Sequence, residues 1–328
     1  MSTKKFRAVI TDADYVSHQP ECEVLSNLNV DLVKFQCKNE EDVIKNCKDA
    51  DALLVQYAPI TRKVIESMKN LKIIARYGIG VDNVDLEAAS EKGVFVTNVA
   101  YDMCDVADHT ISLMLCLIRK IPWIYQSTKS GEWDWKKFRP IVSVKGKTIG
   151  IVGLGRAGRE VARRLSGFEV SIIAYDPYVT AQAFEKNHIR KVDLEGILAK
   201  SDVITLHVAL SKETTHIIGE SELRKMKKNA ILINTCRGPV VDERALYNAL
   251  KEGRIAGAGL DVLENEPLTK DSPLLQLNNV IITPHIAWYS EGSVIEIQRA
   301  TAQEVARVLR GLLPTRIVNK EALQAKKR

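Results

Sequence analysis

KTIGIVGLGRAGREVARRLSGFEVSIIAYDP, residues Lys147 to Pro177, is the stretch that decides the fold. An apolar run, Thr148 to Val152, reads as a buried strand and leads into Gly153-Leu154-Gly155-Arg156-Ala157-Gly158, the spacing G-x-G-x-x-G. Val161 and Leu165, four apart, mark one face of a helix, and Val170 to Tyr175 is a second strand ending at Asp176. Strand, glycine turn, helix, strand and acid follow in the order that dinucleotide binding requires. Gly153 permits the tight turn, Gly155 lets backbone approach a pyrophosphate, and Gly158 lets the helix lie against its strand. The helix N-terminus offers free N–H groups and a positive dipole end to the phosphates. Asp176, eighteen residues past Gly158, can accept the ribose hydroxyls and would repel a 2′-phosphate, so NAD is expected rather than NADP.

Outward from that stretch, 328 residues suffice for two domains, and 45% hydrophobic with 27% charged residues is an ordinary globular balance. No apolar run reaches membrane-spanning length, and Met1 to Arg7 is polar, without the apolar segment of a signal peptide, so a cytoplasmic protein with no membrane partner is expected. Six cysteines, at 22, 37, 47, 104, 116 and 236, include no C-x-x-C pair. Reduced thiols are expected, with no disulfide framework and no metal site. The net charge of +6 is interspersed except at Lys326-Lys327-Arg328, read as a solvated tail. With no recognition motif beside it, nucleic acid is not an expected partner.

Before the glycine turn, β-rich runs at Phe6 to Ile10, Val30 to Phe35, Ala52 to Val55, Leu71 to Ala75 and Val94 to Thr97 alternate with helical stretches such as Glu40 to Cys47 and Thr61 to Met68. They make a smaller α/β unit, expected to be flavodoxin-like. Asp102 to Ile121 reads as one long helix with apolar residues on most of its circumference. Trp123 to Pro140 places Trp123, Trp133 and Trp135 among polar residues, the composition of an oligomer contact or a lid, with the contact preferred. After the turn, strands at Val203 to Val208, Ala230 to Asn234, Ala256 to Leu260 and Val280 to Thr283 alternate with helices at Ser221 to Lys227 and Asp242 to Glu252, and a last helix spans Gly292 to Leu312. The expected class is α/β: a doubly wound parallel sheet (Rossmann) coenzyme domain with a second, smaller domain.

In such sheets ligands bind beyond the carboxyl ends of the strands. The residues there are Gly153 to Gly158, Asp176, His207, Thr235, Cys236, Arg237, Asp261, Glu264, Glu266 and His285. Hydride transfer with a nicotinamide needs a cation for an anionic substrate, an acid/base on its oxygen and a group that orients the base. Arg237 offers a planar fork for a carboxylate, His285 titrates near neutrality, and Glu266 can fix its tautomer. Together they describe a 2-oxo acid reductase. His207 reads as a packed histidine near the cofactor, Cys236 as filler beside it, and His18, His188 and His216 as surface residues.

Six stretches in order, Arg76 to Asp85 (RYGIGVDNVD), Lys145 to Gly158 (KGKTIGIVGLGRAG), Leu206 to Thr215 (LHVALSKETT), Ile233 to Gly238 (INTCRG), Gly259 to Pro267 (GLDVLENEP) and Thr283 to His285 (TPH), resemble the D-isomer-specific 2-hydroxyacid dehydrogenases. The resemblance implies that Arg237 binds the substrate carboxylate, that His285 donates the proton with Glu266 paired to it, and that Ile79 and Gly80 present N–H groups to the same carboxylate. It puts cofactor contacts on Arg156, Ala157, Asp176, Thr235 and Asp261. It implies a discontinuous substrate domain, 1–100 with 289–328, an NAD-binding domain at 101–288, a cleft that closes between them, and a homodimer formed through the coenzyme domain.

Arg76 matches an arginine of phosphoglycerate dehydrogenases and of the C-terminal-binding-protein branch. Gln56 stands where phosphoglycerate dehydrogenases similar to the human one carry an arginine toward the phosphate. HIAWYSE, residues 285–291, looks most like the C-terminal-binding-protein branch, in which a tryptophan, here Trp288, lines the substrate pocket. The expected substrate is a small or hydrophobic 2-oxo acid, with D-3-phosphoglycerate dehydrogenase or glyoxylate/hydroxypyruvate reductase as alternatives. An NAD(H)-sensing corepressor-like binding protein is the alternative of another class.

Overall fold

Short apolar runs rich in Ile, Val and Leu become strands buried on both faces, as parallel sheets require. The computed structural model describes residues 5–99, 101–187 and 189–325. His188 and the basic run 326–328 lie outside the described residues. The chain divides into two compact units, Met1–Asp102 with Ser290–Arg328, and Met103–Tyr289.

The first unit holds β1 (Phe6–Asp12), β2 (Val30–Lys34), β3 (Ala52–Val55), β4 (Ile73–Arg76) and β5 (Phe95–Thr97). They form one parallel sheet in the order β2-β1-β3-β4-β5, the flavodoxin-like order expected above. Its helices start where short polar side chains satisfy orphan N–H groups: Asn39 accepts from Asp42 N–H at the start of Glu40–Cys47, and Thr61 from Val64 N–H at the start of Arg62–Ser67. Helices Gln19–Leu25 and Leu86–Glu91 were not expected; at seven and six residues they are too short to show a helical period. The long helix Glu291–Leu309 packs on Gln19–Leu25 and on β4.

The second unit holds β6 (Thr148–Val152), β7 (Ser171–Tyr175), β8 (Arg190–Lys191), β9 (Val203–Leu206), β10 (Ile231–Asn234), β11 (Gly257–Leu260) and β12 (Val280–Ile282). The sheet order β12-β11-β10-β9-β6-β7-β8 is all parallel and reverses direction between β6 and β9. That reversal is the switch point where a doubly wound sheet opens a crevice. Ile149, Ile151 and Leu154 are fully buried beneath it. Burial of each such side chain contributes about 1.5–3 kcal/mol.

The helix expected from Asp102 to Ile121 runs Cys104–Arg119 and ends at Lys120, whose φ of 56° is left-handed. Val106, Ile111, Leu113, Met114, Leu117 and Ile118 are buried, so most of its circumference is covered. A second helix, Ile121–Lys129, opens the tryptophan-bearing segment, where Trp133 and Trp135 are 92% and 65% exposed.

Candidate active site

The cradle forms at the switch point. Gly153 takes φ +92°, and a Cβ there would stand 2.5 Å from the His207 carbonyl oxygen. A Cβ on Gly158 would meet the Gly153 carbonyl oxygen at 2.1 Å, so helix and turn touch backbone to backbone. Gly155 caps the helix Arg156–Leu165 without a side-chain hydrogen bond, and nothing lies within 4 Å of where its Cβ would be. Open space before an uncapped helix N-terminus suits a pyrophosphate. Asp176 is buried, and its carboxylate accepts N–H from Leu154 (2.8 Å), Tyr178 (2.9 Å) and Val179 (3.1 Å). It therefore shapes both turns of the cradle, a duty that sequence reading did not assign it.

Beyond β10, Asn234 organises the turn: its side chain accepts from Cys236 N–H (3.0 Å) and donates to the Arg237 carbonyl (2.9 Å). Burial pushes the Cys236 thiol up to about 11, which leaves it protonated and fits filler rather than nucleophile. Arg237 is half-buried, and its Nη1 donates to the Cys236 carbonyl at 2.6 Å. Beyond β9, burial pushes His207 down to about 4; Nε2 meets Thr205 Oγ1 at 2.9 Å. Nδ1 of His207 is buried with no partner among the described residues.

Beyond β11 and β12 stands the ion pair. His285 Nδ1 lies 2.7 Å from Glu266 Oε2, with the two side chains 30% and 35% exposed and so reachable from outside. Glu266 Oε1 accepts from Leu263 N–H at 2.9 Å. Burial pushes the Glu266 carboxyl up, but the His285 hydrogen bond, the Leu263 N–H and the charges of His285 and Arg237 outweigh it and hold it below its usual range. His285 has φ +52°, a left-handed backbone that a non-glycine residue holds only where its surroundings impose it. Trp288 donates its indole N–H to the His285 carbonyl at 2.9 Å and meets Tyr289 edge-on.

Asp261, 2% exposed, accepts from Thr283 Oγ1 (2.6 Å), Ile286 N–H (3.0 Å) and Ala287 N–H (2.9 Å). Expected as a cofactor contact, it is also the anchor of the turn that carries His285. Sequence reading missed two further residues. His109 Nε2 lies 2.9 Å from Thr283 Oγ1, and Thr110 Oγ1 lies 2.8 Å from Thr235 Oγ1. The signal available was weak: His109 and Thr110 are two of several polar residues on this helix, which also carries Asp105, Asp108, Ser112 and Arg119.

One histidine departs from the expected surface role: His18 is only 18% exposed, and its Nδ1 faces the buried Glu21 at 3.5 Å, whereas His216 is exposed as expected and bonds Glu264 at 2.6 Å. In the first unit, Arg76 at the end of β4 donates to Asn83 (3.1 Å) and to the Tyr77 carbonyl (2.8 Å). Among the described residues no acceptor takes the N–H of Ile79 or Gly80. Gln56 is buried, and its side-chain oxygen accepts from Asp14 N–H at 3.1 Å.

The sequence profile described as "D-isomer specific 2-hydroxyacid dehydrogenase, NAD binding domain" matches residues 111–287, the cradle and strand ends just described. A D-3-phosphoglycerate dehydrogenase of Methanocaldococcus jannaschii is 46% identical over 283 residues, 85% of this chain and 54% of that protein. The chain thus spans about half the length of that protein and of a D-3-phosphoglycerate dehydrogenase of Archaeoglobus fulgidus, 54% of each. A glyoxylate reductase of Thermofilum pendens is 42% identical over 314 residues, 90% of both chains. Among solved structures, D-lactate dehydrogenase from Aquifex aeolicus complexed with NAD and lactic acid superposes with a TM-score of 0.85 at 30% identity, covering 97% of both chains.

Proposed function

The chain belongs to the D-isomer-specific 2-hydroxyacid dehydrogenases, and from that premise we propose that it is an NAD-dependent reductase of a small, unphosphorylated 2-oxo acid. The observation that carries the reading is the 2.7 Å pair of His285 Nδ1 and Glu266 Oε2 at the sheet end that also bears Arg237. When bound, reduced NAD supplies the hydride to C2. Arg237 holds the carboxylate in its planar fork and polarises the 2-oxo group, with its Nη1 tether to the Cys236 carbonyl fixing the direction of the fork. Glu266 keeps the Nδ1 proton of His285, so the proton that leaves for the substrate oxygen comes from Nε2. The ring ends neutral, with Nδ1–H still on Glu266. Gly155 and the helix start at Arg156 receive the pyrophosphate, Ala157, Thr235, Cys236 and His207 border the cofactor, and Asp176 disfavours a 2′-phosphate.

One observation favours an unphosphorylated substrate. Gln56 is uncharged, buried and committed to the Asp14 N–H, so it offers no cation to a phosphate. Trp288, with its N–H spent on the His285 carbonyl, leaves an apolar ring face for the substrate side chain. The assembly proposed is a homodimer formed through the exposed Trp133 and Trp135, and the compartment is cytoplasmic, where six unbridged thiols stay reduced.

The test is NADH oxidation across glyoxylate, hydroxypyruvate, pyruvate, phenylpyruvate, 4-methylthio-2-oxobutyrate and 3-phosphohydroxypyruvate. An unphosphorylated compound is expected to win. A phosphorylated winner overturns the reading of Gln56, and tight NADH binding with no turnover on any compound moves a nucleotide-sensing binding protein to the front.

A further inference from the structure

We infer that His109 is a positioning residue for the proton donor: its Nε2–H, passed through Thr283 and Asp261, holds the 283–287 turn that aims His285. The inference rests on the role proposed for His285. It starts from proton bookkeeping. Thr283 has one hydroxyl proton, and its oxygen lies 2.6 Å from Asp261 Oδ1, an acceptor, so that proton belongs to the carboxylate. The same hydroxyl lies 2.9 Å from His109 Nε2 and must accept there. His109 therefore carries its proton on Nε2, and Asp261 Oδ1, 3.5 Å from that nitrogen, reinforces the choice.

Asp261 hands the constraint to His285. Its oxygens take the N–H groups of Ile286 (3.0 Å) and Ala287 (2.9 Å), and its backbone carbonyl takes that of His285 (2.8 Å). Three consecutive N–H groups are thus tied to one buried residue, and the first of them belongs to a backbone at φ +52°. A left-handed histidine relaxes unless its neighbours over-determine it. His109 extends the restraint into a rigid element, the helix Cys104–Arg119, whose next residue, Thr110, reaches Thr235 at 2.8 Å on the way to Arg237. One helical turn thereby braces the two strand ends that lead to the proton donor and to the carboxylate clamp.

The experiment compares His109→Leu, His109→Gln and Thr283→Val in the full chain. Gln extends a side-chain N–H2 to about the reach of histidine Nε2, so it restores the donor without the ring. His109→Leu is expected to lower kcat about 10- to 100-fold, the scale of a small misplacement of a reacting group, with KM for the 2-oxo acid and NADH affinity nearly unchanged. His109→Gln should recover most of that loss. Thr283→Val should match His109→Leu, and the double variant should be no worse than either. Normal kcat in His109→Leu, a loss confined to melting temperature, or a folded His109→Gln that fails to rescue would each overturn the inference. Imidazole NMR separates this from the fate of the proposed reaction. The wild type should show the Nε2–H tautomer at His109, and His285 signals should shift or split in His109→Leu but not in His109→Gln. A Nδ1–H tautomer, or unmoved His285 signals in His109→Leu, overturns it whether or not the protein reduces a 2-oxo acid.

Discussion

The two ends of the seven-stranded sheet are built differently. Beyond its carboxyl ends stand Asp176, Arg237, Asp261 and His285, each hydrogen-bonded to a turn that neighbours it. At the other end, Leu117, Ile118, Trp123, Phe138 and Val142 line a cavity of about 530 Å³, with Lys120, Lys137 and Lys147 among its walls. Its size and apolar lining are those of a small-molecule pocket. Judged by chemistry, the one acid among its lining residues, Asp202, is spent on the Thr148 N–H (2.8 Å) and Lys227 (3.2 Å), and no histidine stands among them. Convergence of interlocked polar groups, rather than volume, marks the reactive end. The reason lies in parallel topology: carboxyl ends feed loops that lead to helix N-termini, where N–H groups point outward and short side chains choose the turn.

The sharpest way to break this contrast is to strip one group from each end. His285→Ala is expected to lower kcat by a general acid/base factor of about 10²–10⁴ with NADH affinity retained, while Val142→Ala at the cavity leaves kcat within about twofold. Steady-state kinetics and fluorescence titration with NADH check both, and comparable losses would erase the distinction. Arg237→Lys keeps the charge and removes the fork. It should lower kcat/KM about 10- to 100-fold, the loss of one charge-assisted hydrogen bond, most of it in KM if the clamp acts equally on ground and transition states.

What the sequence made legible follows the same divide. The glycine turn, the acid after β7, and Arg237, Glu266 and His285 could be placed because each follows an apolar run at a fixed spacing, and strand ends are visible in one dimension. His109 and Thr110 could not, since their partners lie 174 and 125 residues away and helix residues carry no strand-end signal. The second duties of Asp176 and Asp261 were hidden for another reason: a carboxylate at a strand end looks the same in sequence whether it faces a ligand or the N–H and hydroxyl groups of its neighbouring turns. The strand β8 escaped because it is two charged residues long, Arg190–Lys191, with no apolar side chain to reveal it.

Asp176→Ala sharpens the comparison by separating cradle from ligand. Loss of the carboxylate should reduce the preference for NADH over NADPH about tenfold, and it also abandons the Leu154, Tyr178 and Val179 N–H groups, at a cost of about 1–3 kcal/mol for a buried donor left unpaired. Kinetics with both cofactors and a melting curve divide the two effects; an unchanged cofactor ratio beside a lowered melting temperature would leave Asp176 a purely structural residue. His207 adds a pH dependence at the same sheet end. Folded, it takes a proton only near pH 4, whereas the unfolded chain does so near 6.5. Between those values the unfolded state binds more protons, so stability falls as pH drops from about 6.5 to about 4. Melting curves across that window should show the decline, and His207→Asn should flatten it.

The smallest effect on catalysis, and the one most specific to the cavity end, is expected from the tryptophan-bearing segment. Trp133 is 92% and Trp135 65% exposed, an unfavourable display of aromatic surface for a face left in water. Arg139 stacks over the Trp135 ring at 4.3 Å, which holds that side chain in one presentation. If this end is built for assembly, Trp133→Ala with Trp135→Ala should shift the species seen in analytical ultracentrifugation from dimer to monomer, with kcat per active site changed by less than about twofold. Every polar group assigned to the chemistry sits at the opposite end of the strands, so there is no route for a larger change except loss of the fold, which a melting curve detects. A large drop in kcat with the dimer intact would mean that the segment serves the reaction, and the two ends of the sheet would no longer divide the work between them.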